Sequence, residues 1–86
     1  MGNNWSKTLV KDRVSAIIIN DGTKIGEFCT ISHGVTLGNK RPGGKSPAIG
    51  NNVYTATGAK VLGDISIGDN CIIGANAVVM ESMPEN

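Results

Sequence analysis

The sequence predicts an all-β fold in which short strands wind into a coil, a parallel β-helix. Two observations carry that reading. From Ile49 to Val79 the residues repeat every six positions, as Ile49-Gly-Asn-Asn-Val-Tyr, Thr55-Ala-Thr-Gly-Ala-Lys, Val61-Leu-Gly-Asp-Ile-Ser, Ile67-Gly-Asp-Asn-Cys-Ile and Ile73-Gly-Ala-Asn-Ala-Val. The same frame runs from residue 13 to Leu37, broken only by a stretch rich in Gly, Pro and cations between Leu37 and Ile49. A helix would place its apolar residues three and four apart, and a half-buried strand would alternate, so neither element fits alone.

The first position of each six is aliphatic except at Thr55, and the fifth is Val53, Ala59, Ile65, Cys71 or Ala77. In extended backbone these two positions point to the same side, so both are expected to face inward. The second position holds Gly50, Gly68 and Gly74, followed by Asn or Asp at 51, 52, 69, 70 and 76. Such residues tolerate turns and left-handed geometry, which predicts that the chain turns at the second position. Three flat faces then close into a triangular coil of about eighteen residues, hydrogen-bonded to the coils above and below at roughly 4.8 Å. The period leaves the hand open, right-handed crossovers being the general rule.

Residues 1–12 lack the repeat and are expected to form an N-terminal cap or extension, with Trp5 and Leu9 covering the open end of the coil. The first six residues fit a myristoylation pattern and Asn4-Trp5-Ser6 a glycosylation sequon, both too permissive to carry weight. Residues 13–86 are expected to be one repeat domain of about three coils. Its first hexads put Ile19, Ile25, Ile31 and Leu37 in position one and Ile17, Thr23, Cys29 and Val35 in position five. Arg13 falls in an inward position, where an unpaired charge is costly, so it is expected on the rim.

Residues 38–48 read as a loop that leaves the coil at a corner, with Pro42 and Pro47 and with Lys40, Arg41 and Lys45 within six positions. The alternatives are a solvated excursion or an arm that binds phosphate. Gly44-Lys45-Ser46 matches the end of a nucleotide-binding P-loop, but Asn39 stands where that motif needs Gly, and Pro47 blocks the helix that should follow. After Met80 the sequence departs from the repeat, and Pro84 is expected to stop the ladder.

Eighty-six residues allow one domain of marginal stability, so subunit association is expected. A formal charge of +1 argues against a general nucleic-acid surface, and no apolar run is long enough for a signal or a membrane span. Cys29 and Cys71 both take position five and are expected to be buried, reduced thiols, as in a cytoplasmic protein. They should lie two coils apart, about 9.6 Å, beyond disulfide reach. Cys71→Ser is expected to destabilise by burying a hydroxyl without a partner.

The run Ile31-Ser-His-Gly-Val-Thr-Leu-Gly38, the loop ending in Pro47, Gly58-Ala-Lys-Val-Leu-Gly-Asp-Ile65 and Ile73-Gly-Ala-Asn-Ala-Val-Val79 resemble the C-terminal half of hexapeptide-repeat acyltransferases, most closely serine O-acetyltransferases. The resemblance implies a left-handed parallel β-helix with one protruding loop, a homotrimer with active sites between subunits, acetyl-CoA as donor and a small-molecule alcohol as acceptor. By position it implies Gly38, Asn39, Lys45, Ala56, Lys60 and Ala75 as CoA contacts. The chain departs from the family in three ways. The family's catalytic His aligns with Arg13, its Arg-His pair near the end of the loop aligns with Lys45-Ser46, and neither its helical domain nor its tail beyond Pro84 has a counterpart.

O-acetyl transfer needs a base, an oxyanion donor and a cradle for phosphates. His33, the one histidine, occupies an outward third position just before the loop and is the candidate catalytic base, with Asp21 or Glu27, placed about one coil away, as its orienting carboxylate. One histidine per chain cannot build the three-histidine zinc site of carbonic anhydrases on this coil, so no metal is expected. The lone Thr55-Ala56-Thr57 is too little for an ice-binding array. The rival to an acetyl-CoA-dependent O-acetyltransferase, shortened and weak in catalysis, is a non-catalytic trimeric β-helix module or a relic of such an enzyme.

Overall fold

The computed structural model describes residues 9–10 and 17–85; Trp5, Arg13 and the N-terminal patterns lie outside them. Among the described residues, eleven strands of two or three residues stack into three parallel sheets, the faces of a left-handed triangular prism. The first face stacks β1 (Leu9–Val10), β4 (Thr30–Ile31), β7 (Tyr54–Thr55) and β10 (Ile72–Ile73). The second stacks β2 (Ile18–Ile19), β5 (Thr36–Gly38), β8 (Lys60–Leu62) and β11 (Val78–Val79), and the third β3 (Lys24–Ile25), β6 (Ala48–Ile49) and β9 (Ser66–Ile67).

The inward positions fall where the period places them. Ile25, Ile31, Leu37, Ile49, Val61, Ile67 and Ile73 are buried from position one, and Cys29, Val35, Val53, Ala59 and Cys71 from position five. Neighbouring residues of a strand face opposite ways, so Ile73 is 2% exposed while Ile72 is 68% exposed. Eighteen residues separate Ile18 from its partner Thr36, but twenty-four separate Thr36 from Lys60. The loop therefore inserts one whole hexad, which leaves every later residue in the same inward or outward phase. Coil-to-coil bonds such as Ile18 N–H to Val35 O at 2.9 Å and Thr36 N–H to Ala59 O at 3.0 Å join the layers. Leu9–Val10 pairs in register with Thr30–Ile31, so the first face begins before residue 13.

The structure moves the turn from the second position to the fourth. Gly22, Phe28, Gly34, Asn52, Gly58, Asn70 and Asn76 all have φ between 57° and 85°. Phe28, Asn52 and Asn70 stack at one corner, and Gly34, Gly58 and Asn76 at another, as the strand registers require. Asn and Gly are the residues that adopt this geometry readily, and Phe28 is the costly exception. The second-position glycines do something else. A Cβ on Gly26 would meet Asn51 Oδ1 and stand 2.6 Å from Gly50 O, and one on Gly50 would meet Asp69 Oδ1 and stand 3.0 Å from Ile67 O. Gly is required there because two coils approach closely, not because the backbone is left-handed.

After leaving the repeat, the chain rejoins the ladder just before Pro84. Met83 bridges Ile67 in parallel, donating its N–H to Ser66 O at 2.9 Å and accepting from Gly68 N–H at 2.7 Å, so the third face continues through the residue before Pro84. This segment supplies the partner the sequence did not reveal. The free, buried Cys71 thiol donates to Pro84 O at 3.1 Å, and Cys29 to Gly50 O at 3.1 Å. The expectation that a hydroxyl at position 71 would lack a partner is therefore incorrect. Cys29, Val53 and Cys71 form one column, two coils from end to end, and the two thiols are not bonded to each other.

Candidate functional site

The insertion leaves the prism between the second and third faces. It is tied down along its length: Asn20 Nδ2 donates to Asn39 Oδ1 at 2.8 Å, Gly44 N–H closes a turn on Arg41 O at 3.0 Å, and Pro47 is fully buried at its end. Gly38 makes the first of these possible, since a Cβ there would stand 3.2 Å from Asn20 Nδ2. The loop runs over the corner Gly63-Asp64-Ile65 of the next coil, leaving a groove of about 410 Å³ lined by Lys40, Arg41, Gly43, Gly44, Lys45 and those three residues. A second trough of about 500 Å³ lies on the other side of Lys45, between Asp21 and Lys24 on one bank and Asp64 on the other. The first is basic and open; the second mixes charges.

The residues expected to bind the donor gather on one face and its two edges. Gly38 ends β5 on the second face, Lys60 begins β8 there, Asn39 and Lys45 lie on the loop edge, and Ala56 and Ala75 lie at the opposite edge, two coils deep. His33 sits on that same edge, exposed, its backbone carbonyl accepting from Gly58 N–H at 3.1 Å. Lys60 turns its ammonium toward Gly58 O at 3.2 Å. A molecule long enough to cross the second face therefore touches the loop cations at one end and the His33 edge at the other.

The structure does not bring His33 to the carboxylates proposed to orient it. Asp21 lies at the loop edge and Glu27 at the edge between the third and first faces, because residues six or twelve apart occupy different corners of a triangular coil. Among the described residues the His33 edge carries Ser32, Thr57 and Asn76 but no carboxylate. Arg41 was read from the sequence as one of three loop cations but not as a donor contact. It lines the basic groove with Lys45, and its place among the three loop cations was the available signal.

Residues 46–80 match the bacterial transferase hexapeptide family of six repeats. The serine acetyltransferase of Helicobacter pylori (strain ATCC 700392 / 26695) is 45% identical over 85 residues, covering 96% of this chain and 50% of the relative. The chain thus spans about half the length of that relative. Among solved structures, Neisseria gonorrhoeae serine acetyltransferase in complex with serine superposes with a TM-score of 0.84 at 34% identity, over 93% of this chain and 33% of that one. Brucella abortus serine acetyltransferase in complex with coenzyme A gives 0.84 at 30% identity, over 92% and 32%. The chain is a hexapeptide-repeat β-helix that resembles the C-terminal half of the serine acetyltransferases in sequence and fold.

Proposed function

We propose that this chain binds acetyl-CoA and serves O-acetyl transfer to a small, serine-like alcohol, as in serine acetyltransferases. The observation that carries the reading is the single face linking the basic loop groove to His33. Arg41 and Lys45 bind the donor's phosphates, where closely set cations in a concave groove act together. The extended donor then crosses the second face past Lys60 and Gly38 toward Ala56, Ala75 and His33. Gly38, Ala56 and Ala75 leave the backbone approachable along that path. At the far edge the imidazole of His33 accepts the alcohol proton as oxygen attacks the thioester carbonyl, and coenzyme A leaves as thiol. No metal enters this scheme.

Association into a homotrimer belongs to the same proposal. Tyr54 and Ile72 on the first face are exposed, as are Ile18 and Val78 on the second, with Met80 just beyond. Two different apolar patches on adjacent faces suit a head-to-tail contact that closes into a ring, and a domain of this size gains stability by such burial. Among the described residues no helix is long and apolar enough to cross a membrane, and a cytoplasmic setting suits two free thiols.

Titration of acetyl-CoA into the protein, followed by an assay of thiol release with serine, tests the reading. Saturable binding that weakens with salt and with Lys45→Ala supports it. Absence of binding by the parent chain overturns it. Binding without turnover favours a donor-binding module, a second reading supported by the lack of a carboxylate at the His33 edge among the described residues.

A further inference from the structure

We propose that Lys40 acts as a strut rather than a phosphate ligand, and that Gly63 is the positioning residue on which it rests. The inference builds on the groove assigned above but concerns how the loop is held. Gly63 has φ of 105° and no side chain, and the stem of Lys40 lies flat across it. A Cβ on Gly63 would stand 3.0 Å from Lys40 Cε, 3.2 Å from Cγ and 3.4 Å from Cδ, so three carbons of one side chain follow the surface of one residue. Long cationic side chains commonly use their methylenes in this way, as packing.

The contact has a structural task. Asn20 holds the loop to the coil before it through Asn39, and the neighbouring Lys40 holds it to the coil after it through Gly63. Gly63 N–H bonds Gly38 O at 2.8 Å, and Ile65 N–H turns back to Gly63 O at 2.9 Å, which fixes the seat itself. With residue 39 tied on one side and residue 40 on the other, Arg41 is directed over the groove and the turn it closes with Gly44 carries Lys45 to the same mouth. An uncharged residue twenty-two positions after Arg41 thus sets the placement of both phosphate-binding cations.

Hydrogen exchange of the loop amides and calorimetric titration of coenzyme A at two salt concentrations test this on the full chain. Lys40→Ala should speed exchange across residues 40–46 at least tenfold, leave β5 and β8 protected, and weaken coenzyme A about tenfold. Lys40→Met, which keeps the stem and removes the charge, should hold loop exchange and affinity within about twofold of the parent and preserve the salt dependence. Gly63→Ala should reproduce Lys40→Ala, and the double variant should be no worse than either single one. A Lys40→Met variant that loses affinity and salt dependence as Lys45→Ala does makes Lys40 a ligand and overturns the proposal. Unchanged loop exchange in Lys40→Ala also overturns it, and this readout needs no ligand. A parent that fails to bind coenzyme A therefore defeats the donor-site reading while the strut stands or falls on exchange alone.

Discussion

Asp69 reaches back one coil to accept the backbone N–H of Asn51 through Oδ1 at 2.7 Å, and Asn51 in turn accepts the N–H of Glu27 through its own Oδ1 at 2.8 Å. Each contact closes a corner where the strand ladder is interrupted. The repeat thus provides its own cap at the third position of the hexad, much as a capping side chain satisfies an orphan donor at a helix end.

Asp69→Ala should therefore destabilise the fold by about 1–2 kcal/mol, the scale of losing a bond from a backbone donor to a charged acceptor. Asp69→Asn keeps an oxygen at the same place and should recover most of the loss. Urea unfolding of the two variants measures the difference, and equal losses would show that the charge rather than the acceptor matters.

The same carboxylate explains a glycine. A Cβ on Gly50 would clash with Asp69 Oδ1 and stand 3.0 Å from Ile67 O, whereas a Cβ on Gly74 meets nothing within 4 Å. Gly50→Ala should cost about 2–3 kcal/mol through forced displacement of the neighbouring coil. Gly74→Ala, at the same hexad position but after a strand of the first face, should be neutral or slightly stabilising because it stiffens the unfolded chain. Thermal melts of the pair compare one repeat position in two environments.

This contrast marks how far the sequence could be read. The six-residue period located the inward residues from Ile19 to Val79, because inward and outward phase is a property of the chain itself. It did not distinguish a glycine needed for left-handed backbone from one needed for close approach. Gly22, with a left-handed backbone and open space around it, is the first kind and Gly50 the second, and only the register between coils separates them. The loop cations were legible for a similar reason, being contiguous in the chain. The seat of Lys40 on Gly63 and the carbonyl partner of Cys71 were not, since they join residues twenty-three and thirteen positions apart. The separation of His33 from Asp21 and Glu27 follows from the corner count of the coil, which the period contained but spacing alone did not convey.

Among the described residues, Thr23 is a buried polar residue whose hydroxyl is left unpaired: it is fully buried in a fifth position, and its Oγ1 has no hydrogen-bond partner. Thr23→Val replaces that hydroxyl with a methyl of similar size and should raise stability by about 1 kcal/mol, since the hydroxyl is desolvated without compensation. A higher denaturation midpoint with an unchanged slope is the expected result. A loss of stability would mean that Oγ1 is satisfied in solution, by a water for example.

The role of His33 can be separated from phosphate binding because the two lie on opposite edges of one face. His33→Asn alters a side chain exposed at the edge shared by the first and second faces, while the loop and its cations lie at the edge beyond β5 and β8. Its backbone carbonyl keeps the bond from Gly58 N–H whatever the side chain, so the turn should survive. Affinity for coenzyme A should therefore change by less than about twofold, as no phosphate contact is touched. Transfer to serine should fall at least about a hundredfold, the usual scale for removing a general base. A variant that keeps the rate excludes His33 as the base.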